Sequence, residues 1–167
     1  MYKEKYETEE EKLAAVKENP YDIQYIHHPS EAVQLTAVNV DPGCIYWIPD
    51  PTPKVQLKAI MGGASDDWNY TDSEAVIVCI ENPTENAKML SFKLDKTSIP
   101  FIPNPSEKLQ MEYVKYATSA IQFIKHPTKK VIEYVIRNSD DIDDIHRMNF
   151  NYDDLSDELK LILNTKF

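Results

Sequence analysis

Five proline–hydroxyl dipeptides punctuate the chain at Pro29-Ser30, Pro51-Thr52, Pro83-Thr84, Pro105-Ser106 and Pro127-Thr128, at intervals of 22, 32, 22 and 22 residues. The same apolar slots recur around each. Six residues upstream stand Ile23, Ile45, Ile77, Ile99 and Ile121. Four upstream are Tyr25, Trp47, Cys79, Phe101 and Phe123, and three upstream are Ile26, Ile48, Ile80, Ile102 and Ile124. Downstream, the fourth position holds Val33, Val55, Ala87, Leu109 and Val131; the ninth holds Val38, Ile60, Phe92, Val114 and Ile136. Self-similarity at a short fixed period is the signature of a stacked repeat array.

A 22-residue period fits either leucine-rich repeats, with "IQYI" or "IYWI" as strands, or pairs of small helices. The flanking residues decide for helices. Ten residues before each anchor proline stand Asn19, Asp41, Ser73, Asp95 and Ala117, four of them good N-caps. Pro20 and Pro42 follow in the first helical position, where a missing N–H costs nothing. Pro100 would break a central parallel strand but is tolerated in a first helical turn. Three glycines against eleven prolines also disfavour a hairpin-rich β protein.

Each unit therefore reads as a short helix of about two turns, such as residues 20–26, then a proline corner. A second helix follows, capped by Ser30, Thr52, Thr84, Ser106 or Thr128. In the first copy Val33, Leu35, Ala37 and Val38 form the expected buried stripe, with Glu31 and Gln34 outside. Helices this short are marginal alone, so neighbouring units must supply the missing wall. The predicted fold is an all-α solenoid of about five two-helix repeats in one domain spanning 1–167. Residues 1–18 form an N-terminal cap, with Thr8 and Glu11 in a capping box. Repeats fill 19–136, with an insertion at 61–76, and 137–167 form a C-terminal cap. That cap keeps Ile142 and Ile145, then a last helix after Ser156 buries Leu159, Ile162 and Leu163.

The 32-residue interval carries ten extra residues within "MGGASDDWNYTDSEAV". It includes Gly62 and Gly63, and no Lys or Arg occurs from Ala59 to Ala87. Asp66, Asp67, Asp72, Glu74, Glu81 and Glu85 form an acidic belt around Trp68 and Tyr70. Insertions in solenoids map to loops on one face, often the binding face. These eight residues are the expected partner-binding set, the aromatic pair serving as anchors. Asp140, Asp141, Asp143 and Asp144 in "SDDIDDIH" lack the spacing of a calcium loop. They follow Lys125, Lys129, Lys130 and Arg137, so intramolecular pairing with those cations or a solvated cap is the expected role.

Formal net charge is -10. It disfavours direct binding to nucleic acid or anionic membrane and favours a basic protein partner. Carboxylates along a helical rod can also imitate a phosphate track. Cys44 and Cys79 lack CxxC spacing, so neither a zinc site nor a disulfide framework is expected; Cys79 shares its slot with Tyr25, Trp47 and Phe101, an apolar slot that marks it as core. No apolar leader or membrane span is evident, and a reducing cytoplasmic setting is the expectation. His28 and His126 share the slot before the anchor proline, as turn residues; His27 and His146 match no metal or catalytic spacing. No HExxH, GxSxG or P-loop occurs, so no cofactor, metal or catalytic residue is expected.

The words "NPYDIQYI" and "PSEAVQLTAV" resemble short helical repeats of domains of unknown function in bacteriophages, large DNA viruses and some bacteria, themselves similar to HEAT-like arrays. The resemblance covers residues 8–136; the third unit, "VIVCIENPTENAKMLSF", departs from it. It implies a small α-solenoid of phage origin, without a catalytic motif. The function expected is a non-enzymatic protein-binding repeat protein, as a phage inhibitor of a host defence or nucleic-acid-handling protein, monomeric rather than assembled. The alternatives are a structural component of a virion or scaffold and, more weakly, a hydrolytic enzyme at Asp66 and Asp67.

Overall fold

The computed structural model describes residues 5–63, 76–148 and 150–166. The fold is all-α and solenoid-like, with no strand among the described residues. Two kinds of helix alternate. The α-helices are α1 (Glu9–Glu18), α2 (Glu31–Val40), α3 (Pro53–Gly63), α4 (Glu85–Leu94), α5 (Glu107–Tyr116) and α6 (Lys129–Asn138), then α7 (Ile142–His146) and α8 (Asp157–Lys166). Between them lie 3-10 helices at Pro20–Tyr25, Pro42–Trp47, Val76–Cys79, Lys96–Phe101 and Thr118–Phe123, with a shorter one at Tyr152–Asp154.

The short helices are 3-10 rather than α because each is confined between two stops. Asn19, Asp41 and Asp95 cap them, accepting hydrogen bonds from the backbone N–H of Tyr21, Gly43 and Thr97. Ala117, lacking a polar side chain, gives no such bond. At the other end each closes on itself: the N–H of Ile26 donates to Ile23 O at 3.1 Å, and that of Ile48 to Ile45 O at 3.0 Å. The chain then turns extended toward the anchor proline. Just before it, His28 and Asn104 adopt left-handed φ values of 49° and 43°. His and Asn tolerate that region better than most residues, which gives His28 the turn role expected of it.

The chain folds as two compact units, Met1–Ile102 and Pro103–Phe167. In the sequence, that boundary falls between the short and long helices of the fourth copy. In the first unit, α1 to α4 lie side by side in order, and the 3-10 helices form a second layer, also in order. In the second, α5 packs on α6, α6 on α7 and α8, and the 118–123 helix against α5, α6 and α7. The slots at −6, −3, +4 and +9 are buried in every copy. Thr8 and Glu11 form the capping box of α1. Gly62 belongs to α3 rather than to a loop: a Cβ there would sit 2.7 Å from the Pro42 ring, so glycine permits that approach.

Three expectations are corrected. Gln34 is buried, as are Gln56 and Gln110 in the same slot. Each amide satisfies backbone in two adjacent copies. Gln56 Nε2 donates to Pro51 O at 3.1 Å and Asn82 O at 3.3 Å, while Oε1 accepts from the Thr84 N–H at 2.8 Å. Gln110 repeats this with Pro105 O, His126 O and the Thr128 N–H, and Gln34 with Pro29 O and the Thr52 N–H. Buried polar groups persist where they are fully paired. Leu35, by contrast, is only half-buried, as are Ile162 and Leu163. Lastly, Asp140, Asp143 and Asp144 pair with Lys166 and Arg147 rather than with the upstream cations. Asp141 caps α7, and buried Asp144 accepts from the Ser139 hydroxyl.

Charged links run along the same ladder. The Ser30 hydroxyl donates to Glu9, and that of Thr52 to Glu31 at 2.7 Å. Lys54 lies 3.5 Å from Glu31, and Lys130 2.7 Å from Glu107. The Thr52 hydroxyl, then Lys54, hold the Glu31 carboxyl below the usual carboxylate range. Such exposed pairs add little stability; they mark the register between copies.

Candidate protein-interaction surfaces

Of the acidic belt, Asp66, Asp67, Trp68, Tyr70, Asp72 and Glu74 lie outside the described residues. Glu81 is exposed in the corner after the third short helix, and Glu85 opens α4, 3.8 Å from Lys88.

The −4 slot was missed as a surface. Although apolar throughout, it is not core: Tyr25 is 54% exposed, Trp47 43%, Phe101 40% and, in the second unit, Phe123 45%. Cys79, expected in the core, is half-buried. The cause is the helix type. With three residues per turn, positions −6 and −3 eclipse one another, so both isoleucines face the core. The −4 residue is rotated about 120° from that line, toward solvent. The sequence signal was the spacing itself: isoleucine in all copies three residues apart, and a freely varying neighbour between.

In the first unit Tyr25, Trp47, Cys79 and Phe101 thus occupy equivalent positions on adjacent or successive 3-10 helices. A groove of about 760 Å³ runs beside the first two, bounded by Tyr25, His27, His28, Trp47, Pro49 and Asp50. Lys5 stands 5.2 Å from the Tyr25 ring, and Tyr46 packs edge-on against Trp47 at 5.1 Å. The aromatic faces are therefore held by a regular framework while remaining accessible.

The α layer carries a different surface. Leu35 and Val40 of α2 and Leu57 and Met61 of α3 line a groove of about 830 Å³, with Lys17, Lys54 and Lys58 on its border. Val40 and Met61 are at least half exposed.

Reactive chemistry is sparse. No group of three or more His, Cys, Asp or Glu among the described residues is placed to hold a metal ion. Burial, and secondarily the charge of Asp41, push the Cys44 thiol up to about 12. A thiolate is the reactive form, so an aromatic disulfide reagent near pH 8 should modify Cys79 while Cys44 responds only after unfolding. Two thiols titrating at one rate in the native protein would contradict this placement.

No protein-family model, curated protein or solved structure matches the chain. The likeness to short viral helical repeats accordingly rests on the repeated words alone. Among the described residues, no helix is long and apolar enough to cross a membrane.

Proposed function

We propose that the chain is a non-enzymatic repeat protein that binds another protein. The observation that carries this reading is the row of exposed aromatics, Tyr25, Trp47 and Phe101, at equivalent positions on the 3-10 layer. Large aromatic side chains dominate interface energetics, and a rigid support lowers the ordering cost of binding. Net charge of -10 favours a partner with a basic surface, with the belt from Asp66 to Glu85 as its electrostatic complement. In the biological form favoured by the likeness to viral repeats, the chain is a phage-encoded inhibitor acting in the host cytoplasm. Its target is a defence or nucleic-acid-handling protein whose basic groove it occupies.

Immobilised full-length protein should retain a basic host protein at low salt and release most of it at high salt. The Tyr25→Ala/Trp47→Ala variant, folded by circular dichroism, should retain far less. Equal retention by the variant removes the aromatic row from the reading. Oligomers that grow with concentration in light scattering would instead favour an assembly component, the second reading, to which the exposed Val40 and Met61 lend support.

A further inference from the structure

The groove between α2 and α3 has a chemistry opposite to that of the molecule as a whole. Its floor is Leu35, Leu57, Val40 and Met61, and its border carries Lys17, Lys54 and Lys58 in a chain of net charge -10. Lys54 lies 3.5 Å from Glu31, the carboxylate that also accepts from Thr52. Lys17 and Lys58 are exposed, with no carboxylate within salt-bridge distance among the described residues. All lining residues belong to the first unit.

We propose that this groove is a second docking surface, taking an acidic amphipathic helix from another protein. It is independent of the aromatic row and does not rest on the function proposed above. Two observations select the occupant. The lysine border selects charge: a segment whose apolar anchors are flanked by carboxylates gains at Lys17 and Lys58, whereas a basic one is repelled. The floor selects backbone form. An extended segment needs hydrogen-bond partners for its own N–H and C=O groups, and Leu35, Val40, Leu57 and Met61 provide none. The Thr36 hydroxyl already donates to Ala32 O at 2.7 Å, and Asn39 adds only a single side-chain amide, too few for the row of backbone groups of an extended segment. Apart from last-turn carbonyls, the backbones of α2 and α3 are engaged in their own helices. A helix brings its backbone already satisfied and presents anchors at i, i+4 and i+7 to an apolar trough. The anchors enter beside Leu57 and Met61, while its carboxylates reach Lys17 and Lys58.

The test uses the full chain and a synthetic amphipathic peptide of about 18 residues, long enough to hold a helix. Leucines form one face and glutamates border it; a control replaces every glutamate by lysine. Fluorescence anisotropy should show saturable binding of the glutamate peptide, about tenfold or more tighter than the control and weakened by added salt. Met61→Asp and Lys58→Glu, both at exposed positions, should each weaken it about tenfold with unchanged thermal unfolding. Equal binding of both peptides, or indifference to both substitutions, overturns the proposal. A concentration-dependent dimer dispersed by Met61→Asp overturns it in favour of a second copy. Binding that emerges only when residues 64–75 are replaced by a glycine–serine linker overturns it in favour of that acidic segment of the same chain.

Discussion

Replacing Gln56 by leucine lowers the thermal unfolding midpoint by roughly 5–10 °C, measured by circular dichroism or calorimetry. Leucine fills nearly the same volume, so the loss is one of polar satisfaction rather than of packing. Gln56 is 4% exposed and ties three backbone groups together: Pro51 O, Asn82 O and the Thr84 N–H. Two of these lie beyond the inserted stretch, at the corner that starts α4. Leaving buried backbone groups unpaired costs about 1–3 kcal/mol each where water cannot enter, and partial relaxation makes about 2–4 kcal/mol a fair total. In a chain of this size each kcal/mol moves the midpoint by about 2–4 °C. Gln24→Leu is the control, because that amide is exposed and, among the described residues, bonds Tyr21 O within its own turn; it should change stability by less than about 0.5 kcal/mol.

Gln56→Glu separates donor from acceptor. The carboxylate still accepts from Thr84 but faces two carbonyl oxygens with no proton to donate. That arrangement favours the protonated acid, so the folded-state pKa rises above the ordinary value near 4.3. The stabilising protonated form is fully present below the unfolded value and is lost as pH rises through the folded one. The glutamate variant should therefore lie furthest below wild type at neutral pH and recover toward it at acid pH. Gln56→Leu should show no such recovery, since its side chain does not titrate.

Much of this framework was legible in the sequence because it obeys simple rules repeated several times. Ile23, Ile45, Ile77, Ile99 and Ile121 are buried where the register placed them, and Asn19, Asp41 and Asp95 cap where an N-cap was expected. Gln34 was misplaced because a two-class pattern sends every amide to water. The recurrence of Gln56 and Gln110 in its slot was the available sign of a specific buried partner. The −4 aromatics depart from expectation for the converse reason: a 3.6-residue period sends an apolar residue at that position inward. A period of three turns that position away from the isoleucine line. Of the candidate site, Glu81 and Glu85 occupy exposed positions, and the other six residues lie outside the described structure. The lysine-bordered groove was not legible, since Lys17, Lys54 and Lys58 meet only through the side-by-side packing of α1, α2 and α3.

Trp47→Ala should weaken binding of a captured partner by about 30-fold to 1,000-fold, the range of about 2–4 kcal/mol seen when an aromatic anchor is truncated. The protein itself should lose only about 1 kcal/mol, because the short helix is pinned by Ile45 and Ile48 rather than by Trp47. Ile45→Ala should invert the pattern: about 2–5 kcal/mol of stability lost from a fully buried position, with affinity of the remaining folded protein largely retained. Isothermal titration of wild type and both variants against the same partner, alongside denaturant unfolding of each, separates surface from scaffold. Should Trp47→Ala lose stability in proportion to affinity, the ring is a packing element and the −4 row is not the recognition face. If affinity falls alone, Tyr25→Ala should follow with a smaller loss, since its ring is partly engaged by Lys5 at 5.2 Å. Phe101→Ala should then report how far along the first unit the partner extends, because only a partner spanning several copies can touch it.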